Sequence, residues 1–237
     1  MKYKKYLLAI LVLVIGLFFV QRSFNQVNVD ATDPETVAVI DNSVKNNTSV
    51  ISDLQSYYNN KEIVGLLNID NTDKNIVVVQ GQDNKEYLNK DLYKNNDKYG
   101  TPFLDYRVDI NNDNKLLIYG HNSSKKNIPF TILENYYDIE YFKNHQFISL
   151  ITDEQLIRYQ IFSIFVETDD WSYMKIKFAD EDDWLSHLQK LKNKSMYETG
   201  VSVNKDDQIL ILQTCSHKKE YANYSYKYLL VIARKVG

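Results

Sequence analysis

Cysteine, glycine and proline are all scarce in this chain: 1, 7 and 3 among 237 residues. The single cysteine, Cys215, rules out an intramolecular disulfide and a cysteine-based zinc module. So little glycine and proline excludes collagen-like and proline-rich linker classes. The four histidines, His121, His145, His187 and His217, are too widely spaced for a metal-site pattern. A formal net charge of −3 gives no basic face for nucleic acid, so no nucleic-acid partner is expected. The Asp/Asn runs at 109–113 and 180–183 lack the EF-hand spacing. Nothing in the chain points to a metal, nucleotide or flavin, so no cofactor is expected. What remains is 44% hydrophobic and 25% charged, the composition of a globular protein with a real core.

The one long apolar run lies at the start. Lys2, Lys4 and Lys5 precede an uncharged stretch from Tyr6 to Gln21, and Arg22 closes it. As a helix those residues span about 24 Å, slightly short of a ~30 Å hydrocarbon core, a deficit that snorkelling lysines and the interfacial Tyr3 and Tyr6 cover. A cleaved secretory signal opens the same way, but Gln-Arg-Ser-Phe-Asn-Gln after Val20 offers no small-x-small cleavage site. The expectation is an uncleaved single-pass anchor over 1–22. Its positive charge precedes the apolar run, which puts the N-terminus inside and the bulk of the chain outside the cell membrane. A lone thiol in an exported domain is then either a buried bystander or chemically used.

Beyond a polar stalk at 23–32, Asp33-Pro34-Glu35 reads as a helix start. Apolar residues at helical spacing then give one interrupted or two amphipathic helices over about 33–60. From residue 61 the signal is β. Strands are expected at 63–69, 76–80, 103–106, 116–119, 147–152, 156–167, 208–214 and 228–234. One or two short helices are expected within 130–142, and a longer one over 180–194 with Trp184, Leu188 and Leu191 on one face. Many short strands with few helices predict a closed or nearly closed β-barrel. The expected organisation is an anchor (1–22), a stalk with N-terminal helices (23–60) and a barrel domain (61–237).

Cys215 ends the apolar strand Ile209-Leu210-Ile211-Leu212-Gln213-Thr214-Cys215, where a sheet fixes the thiol yet leaves it facing solvent. The competing reading is a small hydrophobe plugging a barrel end. His121 ends another strand, in Leu117-Ile118-Tyr119-Gly120-His121-Asn122, with Gly120 allowing a sharp turn. If those strands are neighbours, thiol and imidazole open at one rim, the minimal arrangement for acyl transfer through a thioester. His217 is the local rival but falls in what reads as a solvated loop. His145 and His187 read as surface residues.

Tyr119-Gly120-His121-Asn122 and Leu212-Gln213-Thr214-Cys215 resemble the two signature motifs of sortases, the surface transpeptidases of Gram-positive bacteria. The segment from Val78 to Leu88, Gly100-Thr101-Pro102-Phe103-Leu104-Asp105-Tyr106-Arg107 and the helix near 180–194 are similar to class B members, over roughly 55–236. The resemblance implies an eight-stranded sortase barrel with N-terminal helices and a helix inserted between strands six and seven. It also implies a thiol mechanism. Cys215 attacks after the Thr of a C-terminal sorting motif in a secreted protein, with His121 as acid and base. An amine of the peptidoglycan stem or cross-bridge then resolves the thioester. Asn84, Leu88, Tyr173 and Met174 match positions lining the motif groove. Thr214 matches the motif threonine, with its side chain opposite to Cys215.

One position departs from the family pattern. Tyr228 stands where an arginine belongs on the last strand, with Lys227 adjacent. Arg234 lies six residues further on, about 20 Å along an extended strand. Either Lys227 or Tyr228 substitutes for the arginine, or the protein is a catalytically impaired, membrane-anchored barrel that binds sorting peptides. A third class, the L,D-transpeptidases, has a Ser-His-Gly-Cys-type motif that this chain lacks.

Overall fold

The computed structural model describes residues 50–72 and 74–236. The anchor expected over 1–22, the stalk and the helical signal before residue 50 lie outside the described residues. Among those described, no helix is long and apolar enough to cross a membrane.

Eight strands close into a barrel. They are β1 (Ile63–Ile69), β2 (Asn75–Val79), β3 (Phe103–Leu104), β4 (Lys115–Tyr119), β5 (Phe147–Ile151), β6 (Leu156–Glu167), β7 (Ile209–Cys215) and β8 (Tyr228–Val236). Their order around the barrel is β1-β2-β3-β4-β7-β8-β6-β5, with β1 and β5 pairing to complete it. Among the described residues three α-helices accompany them: α1 (50–58), α2 (Ile139–Asn144) and α3 (Glu181–Asn193). The stretch expected to hold one or two short helices contains the 3-10 run Pro129–Tyr137 and then α2. The inserted helix, α3, lies between β6 and β7.

The strands form where β-branched and aromatic residues cluster, and several are buried on both faces. All five residues of β4 are buried, as are Ile209 to Leu212 of β7. A strand covered on both sides reads as a continuous apolar run rather than an alternation. The inner face carries Leu116 and Ile118 of β4, Leu210 and Leu212 of β7, and Leu229, Val231 and Ala233 of β8. By alternation, Lys115, Leu117 and Tyr119, then Ile209, Ile211, Gln213 and Cys215, then Tyr228, Leu230 and Ile232 project from the outer surface.

The β6–β7 insertion covers that outer surface. Lys115 Nζ donates to the carbonyls of Tyr173 (2.6 Å) and Lys175 (2.8 Å) and pairs with His187 Nε2 at 2.9 Å. Within α3, Trp184, His187, Leu188 and Leu191 form the buried stripe, and Asp180 caps the first turn by accepting from the Asp183 amide. This corrects the surface reading of His187. It stands three residues after Trp184 on the apolar face, is 6% exposed, and its ring nitrogen meets a buried lysine. His145 is half-buried, stacked on Tyr141 at 3.8 Å with Nδ1 against the Tyr141 carbonyl.

Candidate active site

The cover stops short of the last rung of β7. Tyr173, a buried residue of the β6–β7 insertion, donates its hydroxyl to Gln213 Oε1 at 2.8 Å. Two residues further along the same face, Cys215 is exposed. It neither plugs the barrel nor belongs to the inner core, so the reading as a buried small hydrophobe does not hold.

Strand pairing decides the neighbours of this thiol. β4 and β7 are parallel, with Tyr119 opposite Gln213, and the Gly120 amide donates to the Gln213 carbonyl at 3.0 Å. The two chains stay side by side past the ladder, because Asn122 Nδ2 donates to the Cys215 carbonyl at 2.8 Å. His121 and Cys215 therefore occupy equivalent positions on adjacent segments. On the other side β8 is antiparallel and puts Tyr228 directly opposite Cys215. Facing residues in an antiparallel pair share one face, so Tyr228 flanks the thiol and Lys227 belongs to the opposite alternation. Gly120 is needed here because a Cβ would run into the Phe130 ring.

His121 Nε2 donates to the carbonyl of Leu88 at 2.9 Å. A carbonyl only accepts, so Nε2 keeps its proton in both charge states of the ring and Nδ1 is the nitrogen free to exchange one. Among the described residues no hydrogen bond joins the Cys215 sulfur to this ring. Cys215 opens to solvent on one side, but the protein packed around the rest of it strips water from the sulfur and pushes the thiol up from its ordinary value, while the charge of Lys227 pulls it partly back. Burial also raises the Tyr228 phenol, and proximity to Cys215 adds to the shift. At neutral pH both groups are therefore protonated at rest.

The remaining residues expected at the site are placed as follows. Thr214 is buried, and its hydroxyl donates to the Gly120 carbonyl at 2.8 Å, which stitches the two motif segments together. Asn84 is engaged within the protein: it donates to Asp105 Oδ2 and accepts from the Tyr106 amide, both at 3.0 Å. Leu88 is half-buried and contributes its carbonyl to His121. Met174 is half-buried, and its carbonyl accepts from Arg107. Arg234 pairs with Asp207 and lies opposite Ile209, six residues from Cys215 along β7, so it takes no part. His217 is exposed in the loop after β7.

Two features escaped the sequence reading. Trp171 and Tyr226 are exposed and pack edge-on at 5.0 Å, with Trp171 also 5.6 Å from Tyr228, which makes an aromatic wall beside the thiol. Beneath the site, burial would push the Asp105 carboxyl up, yet bonds from Arg107, the Arg107 amide and Tyr119 together hold it below the usual range. The Asp-x-Arg spacing at 105–107 was its only local signal. Among the described residues no cluster of side chains is suited to a metal ion.

A closed barrel with an exposed thiol and an imidazole on adjacent parallel segments is the frame of a cysteine-dependent barrel enzyme. The family model described as Sortase domain matches residues 67–236. Sortase B of Listeria monocytogenes serovar 1/2a (strain ATCC BAA-679 / EGD-e) is 31% identical over 211 residues, covering 87% of this chain and 84% of that protein. Sortase B of Staphylococcus aureus (strain NCTC 8325 / PS 47) is 30% identical over 176 residues, covering 74% and 70%. The structure of a Staphylococcus aureus sortase B–substrate complex superposes with a TM-score of 0.68 at 26% identity, covering 82% of this chain and 94% of that one. The chain belongs to the sortase family, as a class B member, and is an enzyme of the sortase type.

Proposed function

We propose that this protein cleaves the C-terminal sorting motif of a secreted protein after Thr and transfers the acyl group from Cys215 to an amine of the peptidoglycan stem or cross-bridge. The observation that carries this reading is Cys215 exposed on the outer face of the last β7 rung, flanked by His121 and Tyr228. The likeness to a class B sortase solved as a substrate complex supports a peptide substrate.

Because the thiol is neutral at rest, its proton leaves as the attack begins. Sγ–H gives that proton to His121 Nδ1 while Sγ bonds to the motif carbonyl carbon, whose electron pair moves to oxygen. Collapse of the tetrahedral species expels the amine of the following residue, which takes the proton from the imidazolium and leaves a thioester. The acceptor amine attacks that thioester, loses a proton to the imidazole, and Sγ departs to be reprotonated. Tyr228, a neutral phenol beside Sγ, donates to the developing oxyanion in place of the family arginine. Lys227 adds positive potential from the next position. Trp171 and Tyr226 wall the groove, while Tyr173, expected to line it, is buried against Gln213. The 1–22 anchor holds the barrel at the outer membrane surface, facing the wall.

The test is turnover of a panel of sorting-motif peptides, with Cys215→Ala as control and mass spectrometry of the stalled enzyme. A thioester adduct on Cys215 is expected. A barrel that binds these peptides yet neither cleaves them nor acquires the adduct would instead be the silent binding protein, a reading favoured by the absence of an arginine beside Cys215.

A further inference from the structure

The 3-10 run Pro129–Tyr137 does more than pack. With three residues per turn, Phe130, Leu133 and Tyr136 form one stripe, and all three are buried against the barrel. The next stripe, Thr131, Glu134 and Tyr137, contains the two side chains that reach the site. Glu134 Oε1 accepts from Asn122 Nδ2 at 3.0 Å, one residue after His121. The same oxygen accepts from the His217 amide at 2.6 Å, two residues after Cys215. Asn122 Nδ2 also donates to the Cys215 carbonyl, so a single carboxylate oxygen and a single amide close a bridge between the two motif loops. Tyr137 adds a second tie, its hydroxyl 2.6 Å from Ser216 Oγ. Phe130, packed on Gly120, fixes the strap to the start of the histidine loop.

We infer that Glu134 is a positioning residue that sets the separation of His121 and Cys215, by clamping the loop after β4 to the loop after β7. The inference rests on the catalytic pairing proposed above. It follows from geometry: beyond the last rung no backbone ladder holds the two segments together, and the reacting groups sit where that support ends. A small misplacement of a catalytic group is costly in rate, whereas Glu134 bonds to Asn122 and His217 and not to the aromatic wall of Trp171 and Tyr226. The carboxylate acts here as an acceptor of two N–H groups. An amide oxygen at the same place does the same, so charge is dispensable and acceptor geometry is not.

The test compares Glu134→Ala and Glu134→Gln in the full chain, with Cys215→Ala alongside. Two readouts are taken: hydrogen exchange by mass spectrometry over 120–128 and 213–221, and kcat and KM on the best-cleaved peptide of the sorting-motif panel. For Glu134→Ala both segments exchange faster and kcat falls ~10–100-fold with KM within about twofold, while Glu134→Gln stays close to the parent in all three. The inference is overturned if Glu134→Ala leaves exchange in both loops unchanged, if it loosens them with kcat intact, or if Glu134→Gln is as slow as Glu134→Ala. Failure of the catalytic reading looks different: Cys215→Ala then turns over peptide like the parent, and the exchange measurement still decides whether the clamp exists.

Discussion

β4 and β7 run side by side, and a histidine and a lysine lie near each end of the pair. At the far end, Lys115 has three partners and His187 is one of them. At the rim, His121 has one carbonyl partner, Lys227 has a single 3.4 Å contact to the Ala222 carbonyl, and Cys215 is exposed opposite Tyr228. The same residue types thus serve opposite ends. Where hydrogen-bonding capacity is filled and buried, the group holds structure; where it is left open beside solvent, the group is available for chemistry. The larger pKa displacements lie at the structural end, with Lys115 pushed down to about 7 by burial and by Arg107 nearby, and His187 down to about 3 by burial and by Lys115. A displaced pKa by itself therefore does not mark the active site of this protein.

Swapping the damage between ends tests that contrast most severely. His121→Ala should lower kcat/KM by ~10²–10⁴-fold with an unchanged melting temperature, while His187→Ala should lower the melting temperature and leave kcat per folded molecule intact. Equal effects on both quantities would erase the distinction. The lysines come next. Lys115→Met leaves the buried Tyr173 carbonyl, the part-buried Lys175 carbonyl and a ring nitrogen unpaired and should cost ~2–4 kcal/mol in denaturant unfolding. Tyr228→Phe removes one neutral donor and should slow turnover ~10–100-fold, read in kcat rather than KM.

Smaller effects sharpen the picture through pH. Lys227→Ala removes the charge that pulls the Cys215 thiol down, so the thiol rises further and less thiolate is present at pH 8. Alkylation of Cys215 by iodoacetamide should slow severalfold, with its midpoint displaced to higher pH. At the far end His187 has a folded value of about 3 against an ordinary 6.5. Between those values the unfolded chain binds a proton that the folded chain refuses, so this group's contribution to stability falls as pH drops through that window. His187→Gln should flatten that part of the acid loss in a melting series from pH 7 to pH 4. A parallel loss in both proteins would mean that the carboxylates alone account for it.

Much of the architecture was legible because strand patterning is local. All eight strands were expected within a few residues of where they lie, and the 180–194 helix showed its Trp184, Leu188 and Leu191 stripe directly. What the sequence missed came from pairing at a distance. His187 looked like a surface residue because nothing near it in the chain announces Lys115, 72 positions away. Asn84 was matched to a groove position by resemblance, and the sequence did not show that Asp105 and Tyr106, more than twenty positions away, hold its side chain.

The order of apolar runs, the Tyr-Gly-His-Asn and Thr-Cys strand ends and the substitution of Tyr228 for an arginine are properties of the chain itself, since each depends only on residues adjacent in sequence. Which histidine stands beside the thiol, and which lysine is buried, was decided by closure of the barrel. Parallel pairing of β4 with β7 aligns residue 121 with 215, and the insertion buries the outer face as far as Gln213 and stops. Such choices depend on register between segments about a hundred residues apart, and register is set only when the whole sheet has found its partners.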